Sequence, residues 1–411
     1  MLKGLKTKAV GGVLLLLPFF VFPMNGDPNA YNRIPKMMAA YMLGNLCFAF
    51  LLGEVSFFLG LAHLAFSWIV MFSGFGSWQI YPQAFEAAGM MLALWFVRLD
   101  ERERLGILRL VAIGGILCCF QAYLQTMGFT WPLTFAPGIE TWHPIAFLGQ
   151  HTLFGAYAAP IAALCLALNW YPAALFCALM ALLTGSSFTA LSLGAGLLVV
   201  ARHKIGLKPT LALVGAGGIA LLGLFLLHPR LDAFAGNGRL GIWGDLVRCA
   251  SARPWFGFGP GGFNAIFASS CQKHSLDAGH FFEAHNDLLQ VLFDGGRVGL
   301  AALAIVLFGI LRAYFHSWWR RESFAGGILL RNYDRVSLVA SQGMLAAMLF
   351  NCLGNFPWQL SPHYLIGLIS AAILLQAAPG AGTIFPCGRT FKNAPALIAR
   401  RLRSWLMGQS A

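Results

Sequence analysis

Charge is what this sequence has least of. Only 10% of its 411 residues are Asp, Glu, Lys or Arg, where soluble domains carry roughly 25%. Apolar residues take the vacated share, at 58%. Short segments of alternating apolar and polar residues are absent, which excludes a membrane β-barrel. There is no internal repeat and no low-complexity run. Acidic residues number 15, and they form no pair or cluster suited to Mg²⁺ or Mn²⁺. Neither a metal nor a cofactor is expected.

What is present is a series of apolar runs near the roughly 20 residues that cross about 30 Å of hydrocarbon. The runs predict an all-α polytopic integral membrane protein with about twelve spans. They cover 9–25, 37–53, 55–73, 82–99, 106–124, 148–168, 171–186, 187–201, 209–227, 296–314, 336–353 and 363–378. The N-terminal `MLKGLKTKAVGGVLLLLPFFVFP` has the basic start and apolar run of a signal peptide, but no small-residue cleavage site follows. It reads as a retained first span.

Lysine and arginine sort by side. With the N-terminus in the cytoplasm, the cytoplasmic segments hold twenty of the 28 basic residues and the outside segments eight. That bias obeys the positive-inside rule and sets both termini in the cytoplasm. The net charge of +13 is then a topology signal. No nucleic-acid partner is expected, because the positives are scattered among loops. The basic tail, 379–411, reads as a surface segment touching anionic membrane lipid.

The chain divides into helices over 1–227, an outside loop over 228–294, the last helices over 295–378, and the tail. The loop is rich in glycine and aromatics, a composition that packs instead of staying disordered. Arg239 to Arg248 has the spacing of an amphipathic helix lying on the membrane, with Leu240, Ile242, Trp243, Leu246 and Val247 apolar. `FGFGPGGF` follows. No strand precedes it, so it is no dinucleotide fingerprint; a phosphate nest or a tight turn beside packed aromatics remain. Cys249 and Cys271 share the loop, where an oxidising compartment permits a disulfide, although two cysteines can also fall together by chance.

The loop ends in `HFFEAHNDLLQVLFDGGRVGL`, 280–300. `HNDLLQVLFD` predicts a short helix with Asn286 as N-cap and Asp287 in the first turn. Asn286, Gln290 and Asp294 fall four apart on one face; Leu288, Leu289, Leu292 and Phe293 cover the other. The glycine pair then breaks the helix before the next span. His285 stands at the positive end of the dipole, which favours a neutral ring able to accept a proton. A loop-capping histidine is the plain alternative. Glu283 either orients the imidazole or pairs with an arginine, and His280 is structural or a substrate contact.

In order and topology these residues resemble the O-antigen ligase and polymerase superfamily, a GT-C-like membrane architecture. The resemblance is carried by Arg239, Trp243, Pro254, Gly257, Gly259, Phe263, His285, Asn286, Leu289, Gln290, Gly295 and Gly299, with `NFPWQLSPH` at 355–363 like the family's last outside turn. Two departures stand out. Where the family often has a serine-arginine pair, Ser186 and Ser187 are followed by Phe188, and an asparagine-proline-asparagine pattern is replaced by `LGQHTLFGAY` with Gln150 and His151.

The resemblance implies transfer of a glycan from undecaprenyl pyrophosphate at the periplasmic face of the bacterial inner membrane. The acceptor would be lipid A–core for a ligase or another lipid-linked glycan for a polymerase. Arg239 would bind the pyrophosphate, since its fork donates bidentately and stays charged. His285 would act as general base toward the acceptor hydroxyl. Arg248, His280, Glu283, Asn286, Gln290 and His151 would contact substrate, without metal. A transporter would instead place charge at mid-bilayer, where His63 and Glu86 are the main candidates. A scaffold would not account for a compact polar loop on an apolar floor.

Overall fold

The computed structural model describes residues 2–19, 96, 99–129, 144–146, 148, 151–215, 239–259, 262–271, 284–323, 332–355 and 361–376. The expected spans 37–53 and 55–73, nearly all of 82–99, the tail 379–411, and His63, Glu86, His280 and Glu283 lie outside the described residues.

Every described element is helical. α1 is Leu2–Leu16, and it ends in a 3-10 turn, Leu17–Phe19, containing Pro18. α2 is Glu101–Thr126, and it starts a turn earlier than its apolar run. The reason is a capping box: Glu103 N donates to Asp100 Oδ1 at 2.9 Å, and Asp100 N donates to Glu103 Oε2 at 3.0 Å. α3 is His151–Ala167 and α4 is Tyr171–Leu182. α5 is Ser187–Ile205, capped by Ser186 and ended by Gly206 at φ +89°. A further helical stretch covers 207–215.

α6 is Arg239–Ala250, followed by a π-helical segment, Phe263–Cys271. α7 is Asp287–Ser323, kinked at Gly296 (φ 60°, ψ −155°). α8 is Asn332–Asn351 and α9 is Ser361–Gln376. Against the expectation of about twelve spans, three described helices are long and apolar enough to cross a membrane: α2, α5 and the Asp287–Phe315 part of α7. The other apolar helical segments among the described residues run 10–17 residues, that of α8 being Val336–Asn351.

α3, α5 and α8 form the centre of a bundle, with α2 and α4 against α3 and α9 against α8. Small residues allow the close approach. A Cβ added at Gly196 would stand 3.0 Å from both Ala347 Cβ and Gly343 O, and 3.2 Å from Ala163 Cβ. Association of helices in lipid depends on such contacts, because there is no water to expel. Cys118, Cys119, Cys165 and Cys177 are wholly buried in this core, behaving as small apolar residues. In the most apolar window of α2, 61% of residues are buried; in that of α7, only 11% are. α2 is therefore an interior helix, and α7 presents its apolar side outward through Ile305, Val306 and Phe308.

A second, smaller core belongs to the loop. Ile242, Leu246 and Ala250 of α6 pack with Phe263, Phe267, Ala284 and Phe293. The seam on α6 runs i, i+4, i+8, and Val247, off that seam, is left 46% exposed. Phe258 stacks on Phe293 with centroids 4.6 Å apart, and Phe263 on Phe267 at the same distance. Cys249 and Cys271 are joined in a disulfide, with Cα atoms 5.7 Å apart across 22 positions. By the chain-entropy relation such a loop contributes about 3 kcal/mol. Alkylation without reduction should leave both cysteines unmodified by mass, and reduction should lower the unfolding temperature. Modification of either thiol before reduction would refute the bridge.

Candidate functional site

The site is built around His285. Ala284 precedes it in a buried position, where its N–H donates to Gln290 Oε1 at 3.1 Å. The carbonyl of Ala284 accepts from Trp243 Nε1 at 2.8 Å. Asn286 follows. Its Oδ1 accepts from Leu288 N at 3.0 Å and from Leu289 N at 3.1 Å, which is the N-cap expected of it. Its Nδ2 donates to Leu353 O at 3.2 Å, and Asp287 N donates to Cys352 O at 3.2 Å. His285 is thus held on both sides.

The backbone of His285 is left-handed, at φ +51°. A non-glycine residue there is uncommon and costs free energy unless its surroundings impose it. The fixed neighbours do impose it. The ring itself is half-buried.

The polar face at Asn286, Gln290 and Asp294 is directed inward. Asn286 and Gln290 are buried, and Asp294 Oδ1 accepts from Phe263 N at 2.8 Å. All three use a side-chain atom to hold backbone. The opposite face is mixed, with Phe293 buried and Leu288 exposed.

In its described residues the glycine-rich stretch is a tight turn and offers no phosphate nest. Gly257 N donates to Arg253 O, Phe258 N to Phe293 O, Gly259 N to Asp294 O and Gly262 N to Gly259 O. Those amides are already spent on backbone. Gly257 has φ +65°, and a Cβ on it would stand 2.6 Å from Asp294 O. Gly296 has φ +60°, and its added Cβ would stand 2.6 Å from Gly257 N and from Trp255 C and O. Two glycine backbones therefore pass where no side chain fits. Several motif residues, Trp243, Gly257, Phe263 and Gln290 among them, hold the frame that presents His285.

The arginines are placed differently. Arg239 opens α6, about one turn before Trp243. The Trp243–Ala284 bond thereby brings its helix against the segment carrying His285. Arg248 lies 3.4 Å from Asp245; Asp245 is wholly buried, while Arg248 is 56% exposed. His151 is the first residue of α3. It stands at the bundle end where α3, α5, α8 and α9 offer polar groups.

That polar layer was not read from the sequence. Ser192 Oγ donates to Ala347 O at 2.6 Å, and Asn351 Nδ2 donates to Ser192 Oγ at 3.4 Å. Asn355 Nδ2 donates to Asn351 Oδ1 at 2.5 Å. His363 Nε2 is 2.8 Å from Leu153 O, and its ring meets Tyr157 edge-on. Ser192, Asn351, Asn355 and His363 are each completely buried. The available signal was polar side chains inside or beside apolar runs, which lipid-embedded helices retain only with partners. The layer reaches the loop through the turn at 352–355, which accepts from Asn286 and Asp287. Phe188, which follows Ser186 and Ser187, packs on this turn: a Cβ at Gly354 would enter its ring.

Residues 172–304 match the family model described as O-antigen ligase. The match runs from α4 through the loop and into α7, and it contains every motif residue named above in the loop. No curated protein matches the chain.

Proposed function

We propose, from the O-antigen ligase family match over residues 172–304, that this chain is a glycosyltransferase of the bacterial inner membrane. It moves a glycan from undecaprenyl pyrophosphate to an acceptor hydroxyl at the periplasmic face, and the acceptor is lipid A–core. The observation that carries the reading is the double anchoring of His285. A strained histidine is held between Ala284 and Asn286, and Trp243 of the Arg239 helix supplies one of the anchors.

In the reaction the acceptor oxygen attacks the anomeric carbon, forming the new glycosidic bond. The bond from that carbon to the pyrophosphate oxygen breaks, and polyprenyl pyrophosphate leaves with the electron pair. The acceptor proton passes to His285. Arg239 binds the pyrophosphate and stabilises the charge that builds on it, an effect worth several kcal/mol in a preorganised site. Arg248, His151, His280 and Glu283 are assigned to the substrate side. Asn286 and Gln290 act through the backbone they hold and are positioning residues. A polar loop at the end of the bundle, with arginine and histidine, supports transfer over transport.

The test is purified full-length protein incubated with radiolabelled lipid-linked glycan and lipid A–core. Label appearing on lipid A–core is the expected result, unaffected by EDTA. Longer lipid-linked chains instead would identify a polymerase. No transfer to either acceptor would sink the reading. In the same assay Arg239→Lys keeps the charge but loses the fork, and kcat/KM should fall by roughly 100-fold, about 2.7 kcal/mol of transition-state stabilisation.

A further inference from the structure

The turn at 253–258 presents two large apolar side chains outward, Trp255 at 61% and Phe256 at 75% exposure. Two residues later Phe258 is stacked into the loop core. The exposure is not the looseness of a surface loop. Arg297 N donates to Pro254 O at 2.8 Å, Val298 N donates to Trp255 O at 3.0 Å, and Phe258 N donates to Phe293 O at 2.9 Å. The glycine crossing at Gly257 and Gly296 locks the turn to the kink of α7.

That kink fixes the depth of the turn. Beyond Val298, α7 is the outward-facing apolar helix of which only 11% of the most apolar window is buried. Such a helix faces lipid, so the point where its apolar run begins is a membrane boundary. Trp255 is bonded to that point, and tryptophan favours this interfacial depth. Charge stands beside it. The Arg297 guanidinium is 5.4 Å from the Trp255 ring centroid, and that of Arg253 is 5.3 Å from the Phe258 ring centroid. Among the described residues neither arginine has an acidic partner.

We infer that Arg253, Trp255, Phe256 and Arg297 form a lip that docks the loop onto the phosphate headgroup of an anionic phospholipid. The rings enter the interface, and the two guanidinium groups donate to the phosphate, whose geometry suits their fork. The inference does not depend on the glycosyl-transfer reading, since it concerns lipid preference and not turnover.

The experiment places a fluorescent label at Phe256→Cys in the full chain, with Cys47→Ser and Cys387→Ser and without reductant. The protein is reconstituted in phosphatidylcholine vesicles containing a minor share of lipid brominated near the headgroup. Brominated phosphatidylglycerol should quench with a local enrichment of roughly fivefold over brominated phosphatidylcholine. Arg253→Gln with Arg297→Gln should erase that preference yet keep the quenching depth; the paired lysine variants should keep part of it. Three results would overturn the lip: equal quenching by both lipids, a preference that survives the glutamine pair, or a label reached only by aqueous iodide.

Discussion

His285→Ala is expected to lower kcat for glycan transfer by about 10²–10⁴-fold, the usual contribution of a general base. Donor affinity should change little, because a base acts mainly in the transition state. The split matters. His285 is strained at φ +51°, and removing the ring leaves the strain and its anchors in place. The Ala284 bonds to Trp243 and Gln290 use backbone atoms, as does the grip of Asn286 on Leu353. Alanine can keep them, so the variant should fold and bind as the parent does. Single-turnover rates and donor binding by filter assay, at matched expression, measure the two halves. Near-parental transfer by both His285→Ala and Arg239→Ala would remove the proposed chemistry. Retained transfer with His285→Ala alone would shift catalysis to charge stabilisation, with His151 or His280 as replacement bases.

Gly296→Ala is expected to be severely damaging for a change of a single methyl group. At φ 60° and ψ −155° the backbone lies in a region that is essentially glycine-only. The new methyl would also sit 2.6 Å from Trp255 C and O and from Gly257 N, all of them backbone atoms. Neither side can move without opening the bonds of Arg297 and Val298 to the turn. Strain of this kind costs about 1–3 kcal/mol before the clash is added. Gly295→Ala is the control, since a Cβ there meets nothing within 4 Å. Transfer activity and thermal stability of the loop should collapse in the first variant and stay near parental in the second. Equal behaviour of the two would mean that the crossing does not hold the site. The glycine pair reads as a helix break in the sequence, but only one of its members carries the geometry.

That asymmetry shows how far the sequence went. Hydrophobic run length and the shortage of charge determined that the described elements are helices, three of them long and apolar enough to cross a membrane, because both follow from local composition. Local rules also placed the Asn286 cap and the break at the glycine pair; the bridge between Cys249 and Cys271, left open by the sequence, is formed in the structure. The order of the loop motifs pointed to the family that residues 172–304 match.

The tertiary structure decided what those residues touch. Periodicity put Asn286, Gln290 and Asp294 on one face, but it could not say that the face turns inward to hold Leu353, Ala284 and Phe263. It could not single out Ile242, Leu246 and Ala250 as the inner seam of α6 either, since that seam is set by Phe263, Phe267 and Phe293, which lie on later segments. Ser192, Asn351, Asn355 and His363 are scattered through three apolar runs and acquire meaning only when α5, α8 and α9 bring them to one end of the bundle. Helix and cap are written within a few neighbouring residues. The side on which a polar group finds its partner depends on close packing between distant segments, and no local pattern encodes that.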